Sequence, residues 1–199
     1  MTTTIYLLRH AAHDNVGAYL AGRAPGVHLG PDGLAQAARL GARMAGEAVD
    51  ALYASPRERA QQTAAAIAAA RGGLPVQTVE ALDEVDFGSW SGSTFDELNK
   101  RDDWRRWNSL RSMAETPAGE TMLDVQRRAV GFIRHLAGLS SDARVALVSH
   151  ADVIRAIVGH VLGLPIDAWQ RFEIAPASIS TMVVGDWGCK MLTLNENTH

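Results

Sequence analysis

Cysteine occurs once in the 199 residues, at Cys189. An internal disulfide is thereby excluded, and the missing cysteine framework fits a reducing compartment. Lysine is almost as scarce, with two residues against seventeen arginines. The cations are therefore mostly planar forks suited to phosphate or carboxylate, not flexible point charges. Positive charge is not in excess either. The formal net charge of -3 gives no basic footprint of the kind nucleic acid requires, so no nucleic-acid partner is expected. No apolar run is long enough to span a bilayer, and none is expected to be a membrane anchor. The opening MTTTIYLLRH lacks the charged start, long apolar stretch and small-residue cleavage site of a secretory signal. A soluble, cytoplasmic protein is the expectation, and nothing in the sequence reads out an oligomeric state.

What is present is abundant apolar residue, 47% of the chain, in a length that suits one domain over residues 1–199. Strand-like and helix-like patterns alternate. Residues 4–9 read as a strand, 33–46 as an Ala-, Leu- and Arg-rich helix, 51–55 as a strand, 57–70 as a helix and 76–79 as a strand. Residues 83–119 are less regular, a lid-like insertion with Trp90, Trp104 and Trp107 set among Gly, Ser and charges. The tryptophans are expected to pack inward. Helical periodicity returns over 120–139 through Leu123, Arg127, Val130, Ile133 and Leu136. A strand at 144–150, a helix at 152–162 and a hairpin of 178–184 with 189–194 complete the chain. This order predicts an α/β fold, a three-layer α/β/α sandwich with a mostly parallel central sheet and helices on both faces. Ligands of such sheets sit outside the carboxyl ends of the strands.

Those ends carry unusual residues. YLLRH closes the first strand with Arg9 and His10, and RVALVSH closes a later one with His150. SPRERAQQTA leaves the second strand and carries Arg59, and LDEVDFGSWSG carries Glu84. Two histidines, two arginines and a carboxylate are thus placed near one rim. Read singly, each has a plain structural explanation: a surface pair, a satisfied core histidine, a solvated helix arginine. Their weight comes from occurring as a set.

The set resembles the histidine phosphatase superfamily, the phosphoglycerate-mutase-like proteins. RHAAH stands for the family's RHG followed by Thr or Ser, SPRERAQQTA for SPxxRAxQTA, LDEVDFGSWSG for LxExxFGxWxG, and SHADVIRA for SHGGVIRA. LGPDGLAQA (29–37) and PAGETMLDVQRR (117–128) are similar to further family segments, in family order. The resemblance implies a phosphatase that hydrolyses a small phosphorylated metabolite. His10 would be the nucleophile that becomes phosphohistidine, Arg9, Arg59 and His150 the phosphate clamp, and Glu84 the proton donor, with no metal and no cofactor. A phosphoryl group in transfer spreads charge over its oxygens, so a clamp of fixed cations is the chemistry required. Asp83, Asp86 and Asp152 compete with Glu84 for the acid role.

The motifs also depart from the family. Ala11 replaces Gly, and His13 stands where Thr or Ser is expected. Ala151 and Asp152 replace a pair of glycines. His13 and Arg23 are candidate substrate contacts, and Asp152 is expected to cap the helix that follows it. Three other readings remain: a mutase that returns the phosphoryl group to an isomeric hydroxyl, a phospho-ligand binding protein with weak turnover, and a metal centre at His10, His13 and Asp14.

Overall fold

Alternation along the first strand sets the layers. Ile5 and Leu7 enter one buried apolar cluster while Tyr6 and Leu8 enter another, because successive strand side chains point to opposite faces. The computed structural model describes residues 2–14, 17–138 and 142–198. Within them β1 (Thr2–Arg9), β2 (Ala51–Ala54), β3 (Val76–Thr78), β4 (Arg144–Ser149), β5 (Ile179–Gly185) and β6 (Gly188–Glu196) form a six-stranded sheet ordered β3-β2-β4-β1-β5-β6. The β3-β2, β2-β4 and β4-β1 pairs are parallel. The β1-β5 and β5-β6 pairs are antiparallel, so the sheet is mixed and mostly parallel.

One face is covered by α1 (Pro31–Ala45) and α2 (Glu58–Ala70). The α1 helix begins at Pro31, two residues before the expected Gly33, because proline at a helix start forgoes an N–H that has no intrahelical acceptor there. Gly33 then lies so close to the loop after β1 that a Cβ would meet the Ala12 carbonyl oxygen at 1.8 Å. The other face is covered by α5 (Met122–Ala137) and α6 (Ala151–Val161). In α5 the buried stripe runs through Met122, Val125, Ala129, Val130, Ile133 and Leu136. Leu123, expected on that stripe, is 49% exposed, since it sits one position out of the helical phase of its neighbours.

The stretch 83–119 holds a 3-10 turn at Gly88–Trp90 and two short helices, α3 (Phe95–Leu98) and α4 (Asp102–Ser109). Trp90, Trp104 and Trp107 pack edge to face and are buried, as expected of them. Gly88 has φ +53, and a Cβ there would meet the Pro117 carbonyl oxygen at 1.8 Å, so the turn is sewn to the PAGE segment. Among the described residues no helix is long and apolar enough to cross a membrane.

The chain leaving β1 turns towards the α1/α2 face, and the chain leaving the adjacent parallel strand β4 turns towards the α5/α6 face. A crevice opens between the two connections at the carboxyl ends of the strands.

Candidate active site

The strand ends are stitched together before any side chain acts. The His10 N–H donates to the Ser149 carbonyl at 2.9 Å, and the Ser55 N–H to that of Val148 at 2.9 Å. His10, His150 and the start of α2 are therefore held at the same rim. Ala11 tolerates the glycine position: it is fully buried, and its φ is not positive. Its N–H donates to Thr63 Oγ1 at 3.0 Å, and that hydroxyl donates to the Arg59 carbonyl at 2.7 Å.

His10 Nδ1 lies 2.8 Å from the Ala11 carbonyl oxygen. A carbonyl can only accept, so Nδ1 carries the hydrogen and Nε2 keeps its lone pair. Burial, then Arg59 and Arg9, holds this imidazole well below its ordinary value, and it is neutral near pH 7. Arg59 Nε donates to Nε2 at 3.3 Å. Its Nη2 reaches the Gly22 carbonyl at 2.8 Å and His150 Nδ1 at 3.2 Å. Arg59 sits on the buried stripe of α2 with Ala60, Thr63, Ala64 and Ile67, which is why a guanidinium is carried inward. Arg9 donates from Nη1 to the Ile174 carbonyl at 2.7 Å.

His150 is 0% exposed and sits behind these groups, its ring 5.0 Å from that of His10. Since Arg59 can only donate, Nδ1 accepts and Nε2–H faces Ser55 Oγ at 2.7 Å. Burial, Arg59 and His10 keep it, too, well below its ordinary value.

Glu84 is held protonatable near neutral pH, whereas Asp152 is kept ionised. Burial pushes the Glu84 carboxyl up to about 7, against the pull of Arg59 and with the help of Asp152. Its Oε2 is 3.5 Å from His150 Nδ1 and 3.8 Å from Arg59 Nη2. Asp83, 2% exposed, is instead an anchor: it pairs with Arg57 at 2.9 Å and Arg23 at 3.3 Å and accepts from Ser55 and the Glu84 N–H. Asp86 accepts from the Gly88 N–H at 2.9 Å and faces Arg23 at 3.6 Å.

A cavity of about 180 Å³ opens above this cluster, with Arg9, His10, His13, Arg59 and Glu84 on its floor. Among the described residues, three buried nitrogens there have no protein partner: Arg9 Nε, Arg59 Nη1 and His13 Nδ1. Buried polar atoms are normally satisfied, and the two guanidinium N–H groups are donors without acceptors. An anion with several oxygens answers that need. The His13 ring stacks at 6.1 Å from that of His10, within the cavity. Arg23 does not line the cavity. Its guanidinium is spent on the Glu84 carbonyl at 2.8 Å, Glu120 at 2.9 Å and the two aspartates.

Asp152 departs from the expected cap. The residue before α6 is His150, with no side-chain cap, and Asp152 turns to Arg111 at 3.0 Å and Arg155 at 3.4 Å. Two guanidiniums outweigh one orphan N–H as partners for a carboxylate. Sequence reasoning missed Arg111, which is 4% exposed and lies over the Trp169 ring at 3.6 Å. Its charge partner Asp152 and its nearer indole Trp169 lie about forty residues or more along the chain, and only Trp107 is local. Ser55 was also passed over as a site residue, although it sits inside a quoted motif, and Asp83, weighed there as an alternative acid, is a structural anchor instead.

The arrangement can hold a phosphate among fixed donors, present an imidazole lone pair to it, and supply or take one proton. The profile of the histidine phosphatase superfamily (branch 1) matches residues 5–197. Phosphoserine phosphatase 1 of Hydrogenobacter thermophilus is 30% identical over 199 residues, covering 98% of this chain and 93% of that protein. The adenosylcobalamin/alpha-ribazole phosphatase of Escherichia coli is 27% identical over 194 residues, covering 96% and 95%. Among solved structures, YhfR of Bacillus stearothermophilus superposes with a TM-score of 0.91 at 25% identity, covering 98% of this chain and 97% of that one. The chain belongs to the histidine phosphatase superfamily, branch 1, and is a phosphatase of that type.

Proposed function

We propose that the protein is a phosphomonoesterase that hydrolyses a small phosphorylated metabolite through a phosphohistidine on His10, without a metal ion. The observation that carries the reading is the hydrogen bond from His10 Nδ1 to the Ala11 carbonyl, which leaves the Nε2 lone pair directed at the guanidinium cluster. A cation in front of that lone pair disfavours a metal ion in the same place and favours a phosphate.

In the first step Nε2 attacks phosphorus and the bond to the ester oxygen breaks. Arg9 and Arg59 receive the equatorial oxygens on donors that have no other acceptor, so stabilisation grows as charge develops. Glu84, protonated, gives its hydrogen to the departing alkoxide. In the second step the Glu84 carboxylate takes a proton from water as that water attacks phosphorus. The nitrogen–phosphorus bond then breaks and phosphate leaves, with both residues restored. His150 acts from behind, orienting Arg59 and lying beside Glu84.

Quenching turnover of a radiolabelled ester in alkaline detergent should trap a base-stable, acid-labile phosphoenzyme that maps to His10 and disappears in His10→Ala. Turnover of p-nitrophenyl phosphate should survive EDTA. Activity with no phosphoenzyme, or activity lost to chelator, would overturn the mechanism. Return of the phosphoryl group to an isomeric hydroxyl without phosphate release would make the protein a mutase.

A further inference from the structure

Above the clamp the cavity has a wall that phosphate transfer does not explain. Leu20, Phe87 and Phe95 give it apolar lining, and Asp152 lines it beside Ala151, close enough for its charge to act on Glu84 and Arg9. The Asp152 side chain is 15% exposed and is held from behind by Arg111 and Arg155. Arg111 is itself fixed between two indoles, 3.6 Å from the Trp169 ring centre and 5.2 Å from that of Trp107. The carboxylate is thus rigid, and burial, which alone would raise its pKa, is outweighed by the two arginines that keep it ionised.

The cations that line the cavity among the described residues are Arg9 and Arg59, both at the phosphate floor. Arg23 is committed to acids elsewhere, and Arg111 and Arg155, which pair with Asp152, do not line the cavity. A substrate carboxylate entering beside the ester would find no cavity-lining cation beyond those that hold the phosphate, and would meet the Asp152 carboxylate instead. A hydroxyl or ammonium would find an acceptor, and a carbon skeleton would find the apolar wall.

We propose that Asp152 is a specificity-determining residue: the site selects phosphate monoesters whose alcohol carries a hydrogen-bond donor and no carboxylate beside the ester. The proposal rests on the phosphomonoesterase reading and narrows its substrate class.

Glycerol 3-phosphate and 3-phosphoglycerate test it cleanly, since one end of the alcohol changes from hydroxymethyl to carboxylate. The wild-type enzyme should favour glycerol 3-phosphate in kcat/KM by about tenfold or more, the size expected of one partly screened like-charge contact. In Asp152→Asn the ratio should shrink to within about threefold, mainly through faster turnover of 3-phosphoglycerate. A wild-type enzyme with no preference, or one preferring 3-phosphoglycerate, overturns the proposal, and so does an unchanged ratio in Asp152→Asn. The wild-type ratio needs no variant and decides the question should the substitution fail to fold. Turnover of p-nitrophenyl phosphate separates the two readings. If it is present without the preference, the role of Asp152 alone falls. If no ester is turned over, the phosphomonoesterase reading falls and takes the proposal with it.

Discussion

Glu84→Gln removes one titratable proton while keeping size and shape, and its consequences for rate and for stability have opposite sign. The carboxyl is pushed up to about 7 by burial, so in the free enzyme it is mostly protonated below neutrality and lost as a donor above it. With an alkyl ester such as glycerol 3-phosphate, whose alkoxide leaves poorly, kcat/KM should fall above about pH 7, and Glu84→Gln should lower it by about 10²–10⁴-fold and erase that limb. With p-nitrophenyl phosphate, whose leaving group needs little protonation, the loss in the first step should be about tenfold or less. Stability moves the other way. A folded value near 7 against an ordinary 4.5 means the fold disfavours the charged form. The stability linked to this group is complete below pH 4.5 and is lost as pH rises through 7. The gap corresponds to about 3 kcal/mol, so at pH 8 the Gln variant should melt several degrees higher than wild type, and at pH 4 nearly together with it. Equal rate losses for both esters, or a limb near pH 7 that persists in the variant, would refute Glu84 as the acid. A variant no more stable at pH 8 would refute the buried-charge argument.

Asp83→Asn should behave differently from its neighbour: Arg57 loses its counter-charge and Arg23 one of three, costing about 2 kcal/mol in urea melts, while the pH limb assigned to Glu84 stays in place. Gly88→Ala should lower the unfolding free energy by about 2 kcal/mol or more, because its Cβ would strike the Pro117 carbonyl in a backbone already at φ +53. A midpoint unchanged in urea would show that the turn can relax.

Much of this fold is legible without coordinates because its signals are local. The stretch 51–55 is apolar and short, 57–70 is rich in strong helix formers, and the observed β2 and α2 fall within one residue of those bounds. Arg9-His10 and His150 announce themselves as polar groups at the ends of apolar runs, and the structure sets their two imidazoles 5.0 Å apart. The errors fall where a side chain's partner is remote. Asp152 looks like a helix cap in sequence because caps are made by near neighbours, yet Arg111, about forty residues earlier, competes successfully for its carboxylate. Arg23 looks free in LAGRAPG, but Asp83 and Glu120, about sixty and about a hundred residues away, claim it. Leu123 is apolar and in roughly the right place, but it sits one position off the buried stripe of α5 and faces solvent.

Periodicity was enough to indicate a mostly parallel sheet, and four motifs in order the family, since both depend on residue type and short spacing. Which acid is protonatable, which tautomer His10 adopts and which arginines are spent elsewhere depended on burial and on contacts between distant segments. Charge and proton affinity are set by surroundings, and those surroundings exist only once the chain has brought its remote parts together.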